Sequence, residues 1–198
     1  MKDINLSKSL SYLLRHGAQE AKLPMSPDGF VRVDEILKQT RFHTVCVDDV
    51  RRVVETNQKR RFTLKQDAEA RLLIRADQGH SLPGLDIDLA PITSSTQAPL
   101  VVHGTSTRAW ASIRDEGLKP MGRVHIHFAP GRLGEEGVIS GMRASASVFI
   151  YINLDKALGA GMRFFRSQNG VILSSGLERV IATDYFDKVI DKHGNILL

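Results

Sequence analysis

The chain has 198 residues, 42% of them apolar and 25% charged, with a formal net charge of +5. That composition supports a packed core and excludes a disordered or fibrous chain. The charge is spread along the sequence: residues 1–92 carry +2 and residues 93–198 carry +3. No basic tail marks a nucleic-acid binder by composition, although the bias permits a phosphate-bearing partner. Cys46 is the single cysteine, so an intrachain disulfide is excluded and a reducing compartment is expected, cytoplasmic or, in a eukaryote, nuclear. No apolar run approaches the ~18 residues of a membrane span, and Met1–Asn5 lacks the apolar segment of a secretion signal.

Leu6, Leu10, Leu13 and Leu14 fall at helical spacing, and Gly17 is expected to close that helix as its C′ residue. Arg15 and His16 then lie at the helix C-terminus, where the dipole by itself accounts for cations. Pro24, Pro27, Asp28 and Gly29 mark a turn. A short helix follows at Asp34–Leu37, and Val47, Val50, Val53 and Val54 outline another. Cys46, between Val45 and Val47, reads as a buried structural thiol. Phe62 and Leu64 alternate with Arg61, Thr63 and Lys65, and Arg71–Arg75 supplies a return strand, so residues 61–76 read as a hairpin. Three helices and a hairpin suggest a winged helix. In that pleat Phe62 packs and Arg61 points away from it. A solvated basic cluster explains Lys59-Arg60-Arg61 equally well. Pro83-Gly84 and Pro91–Pro99 suggest a linker near residues 82–99, giving lobes at 1–92 and 93–198.

The second lobe opens with a short strand at Leu100-Val101-Val102, then His103-Gly104-Thr105 and a helix over Ser106–Glu116. In Gly122–Ala129, Arg123, His125 and His127 alternate with Val124, Ile126 and Phe128, which predicts a strand with three basic groups on one face. Gly131–Gly141 reads as a mobile glycine-rich loop over a site. Strands are predicted at Val148–Ile152, Phe164–Arg166, Gly170–Leu173 and Val189-Ile190, with a short helix at Asp155–Leu158. The expected fold class is α+β, with a mainly β second lobe.

Six motifs in this order, Leu14-Arg15-His16-Gly17, Lys59-Arg60-Arg61-Phe62, Arg75–Ser81, His103-Gly104-Thr105, Arg123–His127 and Asn169-Gly170-Val171, cover nearly the whole chain. Together they resemble the NAD-dependent RNA 2′-phosphotransferases. The resemblance implies a winged-helix lobe that holds RNA and a second lobe of the ADP-ribosyltransferase fold that binds NAD. It implies a catalytic tetrad of Arg15, His16, Arg61 and Arg123, drawn from both lobes. Three guanidinium forks suit one phosphate, because they match its oxygens and keep their charge.

The second lobe is also similar to diphtheria toxin and the poly-ADP-ribose polymerases, which handle NAD with a His, a Tyr and a Glu. His103 fits the first position, His127 the second, beneath nicotinamide, and Val171 stands where the Glu would be. Gly104, Thr105 and Asn169 complete the implied cofactor contacts. A carboxylate ~5 Å from the 2′-phosphate would cost about 3 kcal/mol at an effective dielectric near 20. The implied reaction passes through an ADP-ribosylated RNA 2′-phosphate and releases nicotinamide, 2′-OH RNA and ADP-ribose 1″,2″-cyclic phosphate. No metal is expected. The implied partners are NAD and an RNA with an internal 2′-phosphate, no membrane is involved, and a monomer is the default. Three other readings remain at this point. His125 and His127 with His103 form a metal site, the chain stops after ADP-ribosyl transfer to nucleic-acid ends, or it is a non-catalytic winged-helix binder.

Overall fold

The computed structural model describes residues 2–132, Glu135 and 138–198. It is a mixed α/β chain with several antiparallel sheets and few helices, divided into two compact units at Asp88/Leu89.

In the first unit, α1 (Asp3–Tyr12) runs into one π-helical turn at Leu13–Gly17. The helical run ends at Gly17, but Ala18 after it is still right-handed at φ −61°, and the left-handed residue is Lys22, at φ 51°. Gly17 is therefore not a C′ residue. A Cβ there would stand 3.1 Å from Tyr12 Cε1, so close packing is what favours glycine. β1 (Val31–Arg32) leads directly into α2 (Val33–Leu37), and α3 spans Val47–Glu55. β2 (Phe62–Gln66) and β3 (Leu72–Ala76) form the expected hairpin, with β1 on the far side of β3 in the order β1-β3-β2. Leu6, Leu10, Leu14, Ile36, Phe42, Val50, Phe62 and Ile74 pool into one core, as the leucine and valine spacings require.

Cys46 is exposed, not buried. It stands at the N-cap of α3, where its backbone N–H donates to Asp49 Oδ2 at 3.0 Å and its thiol approaches the same oxygen at 3.3 Å. The Cys46 amide, with help from Arg52, holds the Asp49 carboxyl at about 2. The flanking valines suggested a buried thiol, but a helix start outranks that pattern because its first amides need acceptors. The native protein should accordingly take up one equivalent of a thiol-alkylating reagent without denaturant. A requirement for denaturant would contradict this placement.

The second unit opens with β4 (Ala90–Ile92), a strand inside the stretch expected to be linker. It pairs with β8 (Phe164–Arg166) at the edge of a four-stranded sheet, β4-β8-β9-β6. An edge tolerates Pro91, which has no N–H for a second neighbour. The other members are β6 (Ile126–Phe128) and β9 (Ile172–Ser174). A three-stranded sheet holds β5 (Val102–Thr105), β7 (Val148–Ile152) and β10 (Phe186–Asp191), in the order β10-β7-β5. The Val102–Ala129 bridge ties the sheets together. Ile126, Phe128, Phe164 and Ile172 from one sheet share a core with Val148, Ile150, Ile152 and Val189 from the other. α4 (Thr107–Glu116), capped by Ser106 and stopped at Gly117, adds Trp110, and α5 (Leu154–Gly159) adds Leu154 and Ala157.

Candidate functional site

Arg15 and Arg61 line one groove of about 560 Å³ in the first unit, walled by α1 and by the chain leaving α3. Arg15 stands in the π-helical turn, a single-turn widening of a kind common at functional sites. Asn57 organises the other wall. Its Nδ2 donates to Ser7 Oγ at 3.0 Å, and its Oδ1 accepts from the Arg61 amide at 3.3 Å and from Arg61 Nη1 at 3.5 Å. Burial pushes the Arg61 guanidinium below its usual value, but a guanidinium stays charged. A partly desolvated cation attracts a phosphate more strongly than one in bulk water. Arg60, at φ 41° and exposed, is not among the groove residues.

His16 faces the chain segment after β3. Its Nδ1 lies 3.1 Å from Ser81 Oγ, while the Ser81 hydroxyl and amide both donate to the Arg15 carbonyl, at 3.3 and 3.0 Å. The arrangement that serves both contacts gives the serine proton to that carbonyl. In that arrangement Ser81 Oγ accepts from His16 Nδ1–H. Gly79 lets this segment pass close to Arg15: it sits at φ +91°, and a Cβ would lie 3.2 Å from Arg15 Nε. Asp77 is buried behind the pair. Thr63 Oγ1 donates to its carboxylate at 2.5 Å, and its amide donates to the Arg61 carbonyl at 3.0 Å. Burial pushes this carboxyl up, against Thr63, Arg75 and Arg15, which lower it. Asp77 and Ser81 lie in the Arg75–Ser81 run that sequence reasoning used only as a family mark. Asn57 had no signal at all.

In the second unit the strand expected over Gly122–Ala129 is only Ile126–Phe128, and Arg123 and His125 precede it. The turn before the strand breaks the pleat. Met121 is left-handed at φ 56°, the Arg123 amide donates to the Pro120 carbonyl at 3.1 Å, and Arg179 Nη2 donates to the Arg123 carbonyl at 3.0 Å. Arg123 is thus held by a pinned turn, not by strand register. His125 packs edge-on to Phe165, ring centroids 6.3 Å apart. His127 stands on β6 opposite Leu173, which in turn faces Phe165, all on the sheet face away from the core.

His103 lies on β5, with Nδ1 2.9 Å from the His127 carbonyl. Nδ1 must therefore donate, which leaves Nε2 as the acceptor of the neutral ring. Burial pushes the His103 pKa down, the Arg143 charge pushes the same way, and only the His127 bond opposes them. Burial likewise lowers Arg123, again with Arg143 adding repulsion. Arg143 is thus a cation near both that sequence reasoning missed. It follows Met142, which is buried against Gly104; a Cβ on Gly104 would fall 2.3 Å from Met142 Cγ. Thr105 ends β5 and accepts the Ser147 amide at 2.8 Å through its carbonyl.

Asn169 sits in the β8–β9 turn, where Ser167 Oγ contacts its Oδ1 at 2.8 Å, and Val171 follows with no solvent exposure. The expected Gly131–Gly141 loop falls partly on residues 133, 134, 136 and 137, outside the described residues. Among the described residues no three His, Cys, Asp or Glu side chains gather as a metal cage, and no helix is long and apolar enough to cross a membrane.

The depressed His103 pKa has a testable sign. The folded state holds the ring neutral below about pH 6.5, where the unfolded chain binds a proton. Stability should therefore be flat above that value and fall as pH drops from 6.5 to 5.5. Urea unfolding of His103→Gln should show a shallower pH dependence over that window; an identical slope would remove His103 as the cause.

A basic groove built on Arg15 and Arg61, near a hydrogen-bonded histidine, has the chemistry that suits an anionic group such as phosphate. A family model described as RNA 2'-phosphotransferase, Tpt1 / KptA family matches residues 1–176. The chain is 48% identical over 191 residues to a Danio rerio tRNA 2'-phosphotransferase 1, covering 94% of this chain and 85% of the relative. It is 48% identical over 177 residues to the Homo sapiens protein of the same name, covering 88% and 70%. A Saccharomyces cerevisiae tRNA 2'-phosphotransferase is 40% identical over 203 residues, covering 98% and 86%. The chain belongs to the RNA 2′-phosphotransferase family.

Proposed function

We propose that this protein removes an internal 2′-phosphate from RNA, tRNA included, and transfers it to NAD, releasing nicotinamide, 2′-OH RNA and ADP-ribose 1″,2″-cyclic phosphate. The observation that supports this most is the meeting of Arg15 and Arg61 in one groove, in a chain of this family. In this reading the first unit is a winged helix, consistent with its three helices and β1-β3-β2 sheet. The second is an ADP-ribosyltransferase fold, consistent with its two antiparallel sheets sharing a core.

The residues fit the chemistry. Arg15 and Arg61 bind the 2′-phosphate through fixed charge and stabilise the added charge of its transfer, and Arg123 keeps the role that the family resemblance implies for it. His16 donates a proton from Nε2 to the departing 2′-oxygen. Its Nδ1 stays committed to Ser81, which fixes the ring's orientation. The NAD contacts of this reading are His103, Gly104, Thr105, His127 and Asn169, whereas Val171, also implied by the resemblance, has no exposed surface and serves the fold instead. His103 Nε2 accepts a ribose hydroxyl, and the low pKa keeps it an acceptor at neutral pH. Bound NAD supplies the electrophilic ribose carbon and the nicotinamide leaving group.

The test is incubation with NAD and a synthetic RNA bearing one internal 2′-phosphate, followed by mass spectrometry of RNA and nucleotide products. Loss of the phosphate with appearance of the cyclic ADP-ribose phosphate is expected. A stable ADP-ribosylated phosphate would make the protein an ADP-ribosyltransferase instead. No nicotinamide release would refute both.

A further inference from the structure

The groove that holds Arg15 and Arg61 extends well beyond them. Ser7, Lys8, Ser11 and Arg15 line it from one helix, and Gln58, Lys59 and Arg61 from the facing segment. Seven residues separate Lys8 from Arg15, about 10 Å at 1.5 Å per residue. A chain of phosphodiesters lying along the groove would therefore pass both Arg15 and Lys8. The charge balance along the groove is one-sided. Its single acidic lining residue, Asp3, is engaged by Arg52 at 3.0 and 3.3 Å. Lys59 and Arg61 line the groove side by side, and burial and then the like charge of Arg61 push Lys59 down. The side chains between the cations are hydroxyls and amides, which bond phosphate and sugar oxygens without reading a base.

We propose that Lys8 and Lys59 form a second subsite for a backbone phosphodiester of the RNA beside the branch point, so that the protein selects a 2′-phosphate within a chain over one on a lone nucleotide. This rests on the substrate class proposed above, and it assigns that selectivity to two residues outside the tetrad. The contact is electrostatic and blind to base identity, so it makes affinity depend on salt and on chain length.

Fluorescence anisotropy without NAD tests it independently of turnover. The probes are a labelled oligoribonucleotide with one internal 2′-phosphate and, as competitor, a ribonucleoside 2′-phosphate with no phosphodiester. The double variant Lys8→Ala/Lys59→Ala should bind the oligonucleotide ~10-fold more weakly at low salt, with the slope of log Kd against log salt reduced by roughly one. Its affinity for the mononucleotide should change less than 2-fold, and Lys8→Arg/Lys59→Arg should restore oligonucleotide binding. Equal losses on both ligands, or no loss on either, would overturn the proposal. Melting curves identify a variant that has merely unfolded, and the charge-reversal pair Lys8→Glu and Lys59→Glu, made singly, supplies a second reading of the same sign. A wild-type protein that binds the oligonucleotide in this Lys-dependent way yet releases no nicotinamide would overturn the transferase reading and leave the subsite standing.

Discussion

Arg61→Ala is expected to lower kcat/KM for 2′-phosphate removal by at least ~100-fold, the scale lost when one charge-stabilising donor is removed from a transfer site. Arg61 is half-buried and fixed by Asn57 through its amide and its Nη1, so its fork is held in place before substrate arrives. Removing it leaves a phosphate facing Arg15 without its groove partner. Arg61→Lys should recover little, because an ammonium cannot bond two phosphate oxygens in parallel. NAD affinity, measured by calorimetry, should change less than about 2-fold, since the residues proposed to contact NAD, His103 and His127 among them, lie in the other compact unit. Turnover of Arg61→Ala within a few-fold of wild type would remove Arg61 from the site, and a large loss of NAD affinity would give it another role.

Val171→Glu is expected to destabilise the second unit by about 3 kcal/mol or more, because a carboxylate would be stranded in a core with no partner. Val171 has no exposed surface, its carbonyl accepts the Ser167 amide at 2.9 Å and hydroxyl at 3.0 Å, and β9 begins at the next residue. In a chain of this size the melting temperature should drop by roughly 6–12 °C. Val171→Ile, which keeps the apolar character, should cost much less. The repulsion argument made from the sequence, that a carboxylate at this position would oppose a bound 2′-phosphate, is therefore joined by a simpler one. The position is closed, and an acid there damages the fold before it meets a ligand. A Glu variant as stable as wild type would show that Val171 faces an open pocket.

Local chemistry made much of this chain legible. Leu6, Leu10 and Leu14 announce their own buried stripe because helical periodicity is written in adjacent turns. The Phe62–Ala76 hairpin declares itself by alternation, and Ser106 with Gly117 brackets α4 by capping chemistry. The misread elements share one cause. Gly17 does end the helical run, but as its last residue and not as a left-handed cap, because its smallness serves Tyr12 rather than a positive φ. Arg123 was placed on a strand because alternation cannot see a turn pinned from Arg179, 56 residues downstream. Ala90–Ile92 looked like linker because a proline-bearing edge strand is recognisable only by its neighbour β8.

The residue types of the candidate site, and the order of the motifs that contain them, were determined by the sequence alone. Only the tertiary structure decided that Arg15 and Arg61, 46 positions apart, share a groove, that His16 Nδ1 meets Ser81, and that burial lowers the His103 pKa. The reason is physical: a side chain's identity is local, whereas its charge state, tautomer and partners are set by groups that only folding brings within a few ångströms.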